Sequence, residues 1–238
     1  MANMTSSGHA LSGDSPRDRD EPRLTVAGRE SRDHAPIRAP RGPYVRVVKP
    51  AFDRIVGFCI FLVLLPLTAV VALAVRISLG TPVIFRQPRV GRNGERFDVY
   101  KFRTMGHDRR QQARPVDQDR RQNHKSTDDP RHTRVGRTLR KWSLDELPQF
   151  WNVVRGDMSL VGPRPELVEI VARYEPWQHQ RHAVKPGLTG LWQVSSRGTG
   201  MMHLHTDIDL EYIETMGFAT DLKILFRTIP ATLARRGN

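Results

Sequence analysis

The chain has 238 residues, a formal net charge of +13 and a single cysteine. That length suffices for one or two domains with a sizeable core. The lone Cys59 excludes an intrachain disulfide and a cysteine-built zinc site, and the positive balance points to an anionic partner: nucleic acid, anionic lipid or phosphorylated substrate.

Residues 1–45 are rich in Arg, Asp, Ser, Gly and Pro, with no sustained apolar period and no leading apolar core of a signal peptide. Such a segment buries too little surface to offset the entropy of ordering, so a disordered basic tail is expected. A membrane segment is expected over 46–78, because Ile55 to Val75 gives 21 residues without a charge. At about 1.5 Å per residue this just crosses a bilayer core of roughly 30 Å. Two features oppose a simple span. Pro66 sits at its middle and removes a backbone hydrogen bond. The flanks are also equally basic, with Arg41, Arg46, Lys49 and Arg54 before it and Arg76, Arg86, Arg89 and Arg92 after it. The positive-inside rule then sends neither end outside. A helix that enters, breaks at Pro66 and returns satisfies both; a kinked transmembrane helix is the alternative.

The remainder, 79–238, is expected to form the soluble domain of the chain. Val83–Phe85 and Phe97–Phe102 read as two strands of a hairpin around Asn93-Gly94, with a loop longer than two residues. Met105 to Arg131 is charged, with little apolar pattern, and reads as a surface loop. Beyond Val135 apolar residues return. The run SLDELPQFWNVVRGDMSLVGPRPE, Ser143 to Glu166, sets Asp145 and Glu146 just before Pro148, then places Arg164 between two prolines. Acids near a helix start are ordinarily caps. A Ser143 capping box puts Pro148 too deep in the helix, whereas Asp145 at the helix start leaves it in the first turn, where its missing donor costs little. A carboxylate there suits a nucleophile that attacks phosphorus, and Arg164 suits a bidentate phosphate contact. His203, His205, Asp207 and Asp209 alternate, and only on a strand would they share one face and imitate a metal site, which is not the reading favoured; His179 and His182 read as solvated. Leu222, Leu225, Phe226 and Ile229 share a helical face beside Lys223 and Arg227, which suits either a membrane interface or packing on the core. The fold class expected is α+β, mostly helical, with a small hairpin and interfacial amphipathic helices.

Four runs, PVIFRQPRVGRNGERFDVYKFRTM, DPRHTRVGRTLRKWSLDELPQFWNVVRGDMSLVGPRPE, VKPGLTGLWQVSSRG and DLEYIETMGFATDLKILFRT, together with AFDRIVG before the apolar segment, resemble the bacterial sugar transferases. These are monotopic phosphoglycosyl transferases acting on polyprenyl phosphate, and the resemblance covers about Lys49 to Thr228. It implies a re-entrant membrane helix broken at Pro66 and a catalytic domain on the cytoplasmic face of the inner membrane, against anionic lipids. It implies transfer of a sugar phosphate from a UDP-sugar to undecaprenyl phosphate, with release of UMP, to start exopolysaccharide or another glycan. Asp145 matches the nucleophile and Glu146 its partner acid, both close to Mg2+. Lys101, Arg103, Arg164 and Arg197 match positions for phosphate, nucleotide or sugar contact, and Asp157 and Asp209 match supporting acids. A hard cation agrees with diphosphate chemistry. Three departures stand out: Leu65 where Ser often precedes the membrane proline, Pro50 for an Arg after Lys49, and Ser196 where Gly is common.

A basic membrane-anchored nucleic-acid-binding or scaffolding protein is the competing class that charge alone permits. No nucleic-acid module is recognisable, and Arg is spread over tail and loop instead of one helix, so no nucleic-acid partner is expected.

Overall fold

A computed structural model describes residues 36–37, 40–106, 133–195 and 205–234. The expected tail over 1–45 falls almost wholly outside the described residues, as do most of the Met105–Arg131 loop and Arg197. What is described is mostly helical with a small sheet, as expected.

Helix α1 (Lys49–Leu79) follows a π-helical turn at Tyr44–Val48 and carries Pro50 in its first turn, where a missing amide hydrogen costs little. Tyr44–Leu79 is long and apolar enough to cross a membrane, and only 11% of its most apolar window is buried against protein. One stripe of α1 faces the protein: Lys49, Asp53, Gly57, Val71 and Val75 are buried. The opposite stripe, including Ile55, Leu62, Val63, Val70, Leu73 and Ile77, is exposed. The helix runs unbroken through Pro66. The expected pair of helices separated by a break is therefore corrected to one helix that contains the proline. Loss of a single intrahelical bond is tolerated in a segment this long, and Thr68 Oγ1 donates to the Leu64 carbonyl (2.8 Å) beside it.

Strands β1 (Ile84–Val90) and β2 (Arg96–Phe102) pair antiparallel, Ile84 opposite Phe102. The turn residues Asn93 and Gly94 both take left-handed φ, 57° and 79°, as an Asn-Gly pair does readily. The first strand is longer than expected and carries Pro88. The short β4 (Glu166–Leu167) pairs only with Arg89 and Val90 of β1, so position 88 has an open edge on that side. Helices α2 (Arg134–Lys141) and α3 (Gln149–Arg155) follow, then β3 (Ser159–Val161), which pairs in parallel with β5 (Gly187–Thr189). A Cβ on Gly187 would lie 2.1 Å from Gly162 N, so the two segments cross where only glycine fits.

After α4 (Val168–Val171) come a 3-10 helix at Pro176–Ala183, α5 (Leu191–Ser195), α6 (Thr206–Glu214) and α7 (Phe218–Ala234). Thr206–Glu214 is helical, so the unfavoured strand face of His205, Asp207 and Asp209 does not form; His203 lies outside the described residues. Helix α7 buries Asp221 and Ile224, while Phe218, Leu222, Phe226 and Ile229 stay exposed along one stripe. Of the expected apolar face, only Leu225 packs partly against the core.

Two cores hold α1 to the domain. Val153, Met158, Leu160, Tyr212 and Ile213 form the larger, against which Phe52 and Val56 pack; Val71, Val75, Phe102 and Leu139 form the smaller. A buried polar network joins the first turns of α1 to α7 and β3. Asp221 accepts from Lys49 Nζ (2.6 Å), Tyr44 OH (2.6 Å) and Tyr212 OH (2.8 Å). Asp53 accepts from Ser159 Oγ (2.6 Å) and Leu160 N (3.2 Å). Lys49, read in the sequence as part of the basic membrane flank, thus spends its charge inside the protein.

Candidate active site

The acid pair lies in a short turn whose geometry follows from its neighbours. Thr133 caps α2 by accepting from Gly136 N (3.0 Å). After Trp142, Ser143 takes a left-handed conformation (φ 54°) and makes no capping bond; a 3-10 turn then spans Leu144–Glu146. Pro148 has no amide hydrogen, so the turn does not run into α3 as one α-helix; it is closed by i to i+3 bonds such as Glu146 N to Ser143 O (3.2 Å). Asp145 and Glu146 therefore precede α3 by a turn, and neither the Ser143 box nor a cap at Asp145 describes them. Leu144 and Leu147 pack onto the smaller core and fix the turn from behind.

The two acids are held in opposite electrostatic states. Glu146 Oε1 meets Lys101 Nζ and Arg164 Nη2, each at 3.0 Å. Burial pushes its carboxyl up, but those two cations outweigh burial and hold it far below the usual carboxylate range. Asp145 is pushed up to about 6, first by burial and then by the Glu146 charge, with Lys101 and Arg140 opposing. Of the expected site residues, Asp145, Glu146, Lys101 and Arg164 come together.

Arg103 does not join them. It is buried, and its guanidinium donates to the main-chain carbonyls of Leu79 and Thr81 (the latter at 3.0 Å), where it ties the end of α1 to β2. Asp157 accepts from Asn152 Nδ2 (3.2 Å) and pairs with Arg155 Nε (3.4 Å). Asp209 is buried on α6 against Arg181 Nη2 (2.6 Å); burial raises its carboxyl while Arg181 opposes. His182, expected to be solvated, is buried and stacked on Tyr174 (centroids 6.0 Å); burial and then Arg181 push its imidazole down to about 4.

The Arg164 turn has its own support. Gly162 N donates to Thr189 O (2.9 Å), and the carbonyls of Pro163, Arg164 and Pro165 accept from Gly187 N (2.8 Å), Arg181 Nη2 (2.8 Å) and Arg89 Nη1 (3.2 Å). Arg89 also lies 3.6 Å from Glu166 Oε1. Burial, followed by the Arg164 charge, pushes the Arg89 guanidinium down to about 10.

Residues that sequence reasoning missed are Arg140, Asn152, Arg89 and Arg181. Arg140 sits five positions before Asp145 and bonds Thr104 Oγ1 (3.0 Å). The fully buried Asn152 lines the free edge of β2, donating to Asp98 O (2.8 Å) and accepting from Tyr100 N (3.1 Å). No local signal marks these pairings, whose partners lie tens of residues away. Asn152→Ala strips both main-chain groups of their partner and is expected to lower stability by about 2 kcal/mol, read as a drop in melting temperature.

Among the described residues no three or more His, Cys, Asp or Glu side chains gather, which excludes an all-protein metal cage there. The donor set present is two neighbouring carboxylates. That set fits a hard cation of the magnesium type, which keeps its waters and takes further oxygens from substrate phosphates.

An apolar helix long enough to cross a membrane is packed on a domain that presents two carboxylates among Lys101, Arg140 and Arg164. The chain belongs to the bacterial sugar transferase family, whose sequence profile matches residues 44–235, and it is an enzyme of the transferase class. It is 40% identical over 163 residues to the sugar transferase EpsL of Bacillus subtilis (strain 168), covering 68% of this chain and 76% of EpsL. It is 38% identical over 203 residues to the exopolysaccharide production protein ExoY of Sinorhizobium fredii, covering 82% and 90%. A third relative, the UDP-glucose:undecaprenyl-phosphate glucose-1-phosphate transferase of Escherichia coli (strain K12), is 40% identical over 192 residues, covering 77% of this chain and 40% of that longer protein.

Proposed function

We propose that the protein transfers a sugar 1-phosphate from a UDP-sugar to undecaprenyl phosphate through a covalent aspartyl intermediate, as a first step in building exopolysaccharide or another glycan. The observation that carries this reading is the asymmetry of the acid pair: Glu146 is neutralised by Lys101 and Arg164, whereas Asp145 keeps a carboxylate of raised basicity. The name of the Escherichia coli relative supports the donor and acceptor classes, and that of ExoY supports exopolysaccharide as the product.

In this mechanism the Asp145 carboxylate attacks the β-phosphorus of the donor. The bond from that phosphorus to the bridging oxygen breaks, and UMP departs with the electron pair. A phosphate oxygen of undecaprenyl phosphate then attacks the aspartyl phosphosugar, expels the Asp145 carboxylate and yields the diphosphate-linked sugar. Arg164 and Lys101 hold Glu146 ionised and offset the charge of the incoming diphosphate, and Arg140 does the same from the α2 side. Asp145 and Glu146 would hold Mg2+, which supplies charge neutralisation for the diphosphate when bound.

A re-entrant course for α1 at the cytoplasmic leaflet, with the continuous helix bent at Pro66 instead of broken there, is part of the same reading. Both ends of α1 pack on one domain, Asp53 and Gly57 against β3 and α3, Val71 and Val75 beside Phe102 and Leu139. A helix whose two ends belong to the same side has no end left to send across. The exposed stripe of α7 suits the interface beside it, with anionic lipid as its surface.

The test is UMP release by the full chain with undecaprenyl phosphate, Mg2+ and a panel of UDP-sugars. At least one donor is expected to give UMP, with a phosphosugar mass added to the peptide containing Asp145. No UMP from any donor, or an adduct elsewhere, overturns the proposal.

A further inference from the structure

The turn that presents Arg164 is unusual in how its backbone is satisfied. Pro163 and Pro165 carry no amide hydrogens, so the turn has few donors with which to bind its surroundings. Its position is instead set through its carbonyls. Three consecutive ones are taken: Pro163 O by Gly187 N, Arg164 O by Arg181 Nη2 (2.8 Å) and Pro165 O by Arg89 Nη1 (3.2 Å). Two of those donors are side chains, so the placement of the turn is delegated to residues outside it.

Arg181 is the more committed of the two. It is 2% exposed, and three elements converge on its guanidinium. Nη2 contacts Asp209 Oδ2 of α6 (2.6 Å) as well as the Arg164 carbonyl, and Nη1 donates to Tyr174 OH (2.5 Å). Burying such a pair is costly, and an apolar pair of similar volume often serves stability as well or better. The fork of the guanidinium does something an apolar side chain cannot: it pairs with a carboxylate while donating to a hydroxyl and to a chosen carbonyl. The carbonyl it selects belongs to the residue whose own side chain reaches Glu146 Oε1 at 3.0 Å.

We propose that Arg181, held by Asp209, is a positioning residue that sets the Arg164 guanidinium against Glu146 by donating to the Arg164 main-chain carbonyl. The role rests on the proposed function only in that Arg164 then serves the diphosphate. Asp209 acts one step further out, as the group that orients Arg181. Arg181→Lys keeps the charge but loses the fork, and Asp209→Asn keeps the shape but loses the charge.

The experiment is a double-mutant cycle on the full chain, with UMP release from UDP-glucose and UDP-galactose as the activity readout. Arg181→Lys is expected to lower kcat/KM about 30-fold in the native background, since small displacements of a positioned group carry costs of this size. In an Arg164→Ala background the same change is expected to alter kcat/KM less than twofold, while the melting temperature falls equally in both. An equal loss of activity in both backgrounds, or none in the native one, overturns the proposal. Asp209→Asn repeats the cycle if Arg181→Lys does not fold. A second readout needs no turnover: phenylglyoxal modification of Arg164, followed by peptide mass mapping. Arg181→Lys is expected to accelerate it about tenfold as Arg164 leaves Glu146, and an unchanged rate overturns the proposal. If the wild-type chain releases no UMP, the proposed function fails while this second readout still decides the role of Arg181.

Discussion

Asp145→Asn is expected to abolish UMP release, by at least about a thousandfold, while raising the melting temperature. The two effects share one cause. Burial, then the neighbouring Glu146 charge, raise the Asp145 carboxyl from 3.8 to about 6, so the folded protein holds that proton more tightly than the unfolded chain does. Its favourable contribution to folding is complete below pH 3.8 and is lost as pH rises through about 6. At neutral pH the ionised carboxylate is a net cost, on the order of 2 kcal/mol after allowing for its partial exposure. Asparagine carries no charge and removes that cost, but it cannot attack phosphorus. The acidic limb of the wild-type rate profile follows from the same shift: with the carboxylate as nucleophile, kcat/KM is expected to fall tenfold per pH unit below about 6. Thermal melts and a pH-rate profile check both. Turnover retained by purified Asp145→Asn, or a variant that melts below wild type, contradicts the assignment.

Glu146→Gln is expected to move stability the other way. The Lys101 and Arg164 charges, each 3.0 Å from Glu146 Oε1, outweigh burial and depress this carboxyl. A depressed acid contributes stability above its unfolded value of 4.5, and loses it as pH falls through its folded one. At pH 7 the contribution is present in full. Glutamine leaves two cations facing each other without their anion, a loss of about 1–2 kcal/mol once the 24% exposure of the side chain is allowed for. Catalysis should fall about a hundredfold as Arg164 and Lys101 lose their anchor. The residual activity should also show a shifted profile. Removing the Glu146 charge removes one cause of the raised Asp145 carboxyl, so the acidic limb moves to lower pH. Two adjacent acids whose neutral variants change melting temperature in opposite directions form a sharp test, because a general disruption of the turn would lower both.

Features that depend on near neighbours in sequence were readable from it. The charge-free run before Arg76 became α1, and Asn93-Gly94 became the hairpin turn. Pro148 correctly argued against a box at Ser143, although the acids proved to occupy a separate 3-10 turn. The errors arose where a partner was remote. Pro66 read as a break, yet the helix continues through it. Arg103 read as a phosphate contact, yet the end of α1, over twenty residues earlier, claims its guanidinium. Lys49 and His182 read as solvent-facing, yet Asp221 and Tyr174 bury them.

By itself the sequence determined the membrane-grade helix, the small hairpin, the acid pair and the family, because each is carried by periodicity, turn chemistry or an ordered string of motifs. Only the tertiary structure decided the charge states and the supports. Asp145 and Glu146 are chemically near-equivalent neighbours in the chain; they diverge because Lys101 from β2 and Arg164 from the proline-bounded turn both converge on one of them. Arg181 and Asp209, 28 residues apart, meet beneath that same turn. Contacts of this kind depend on how elements pack in space, and the order of residues along the chain carries no local trace of them.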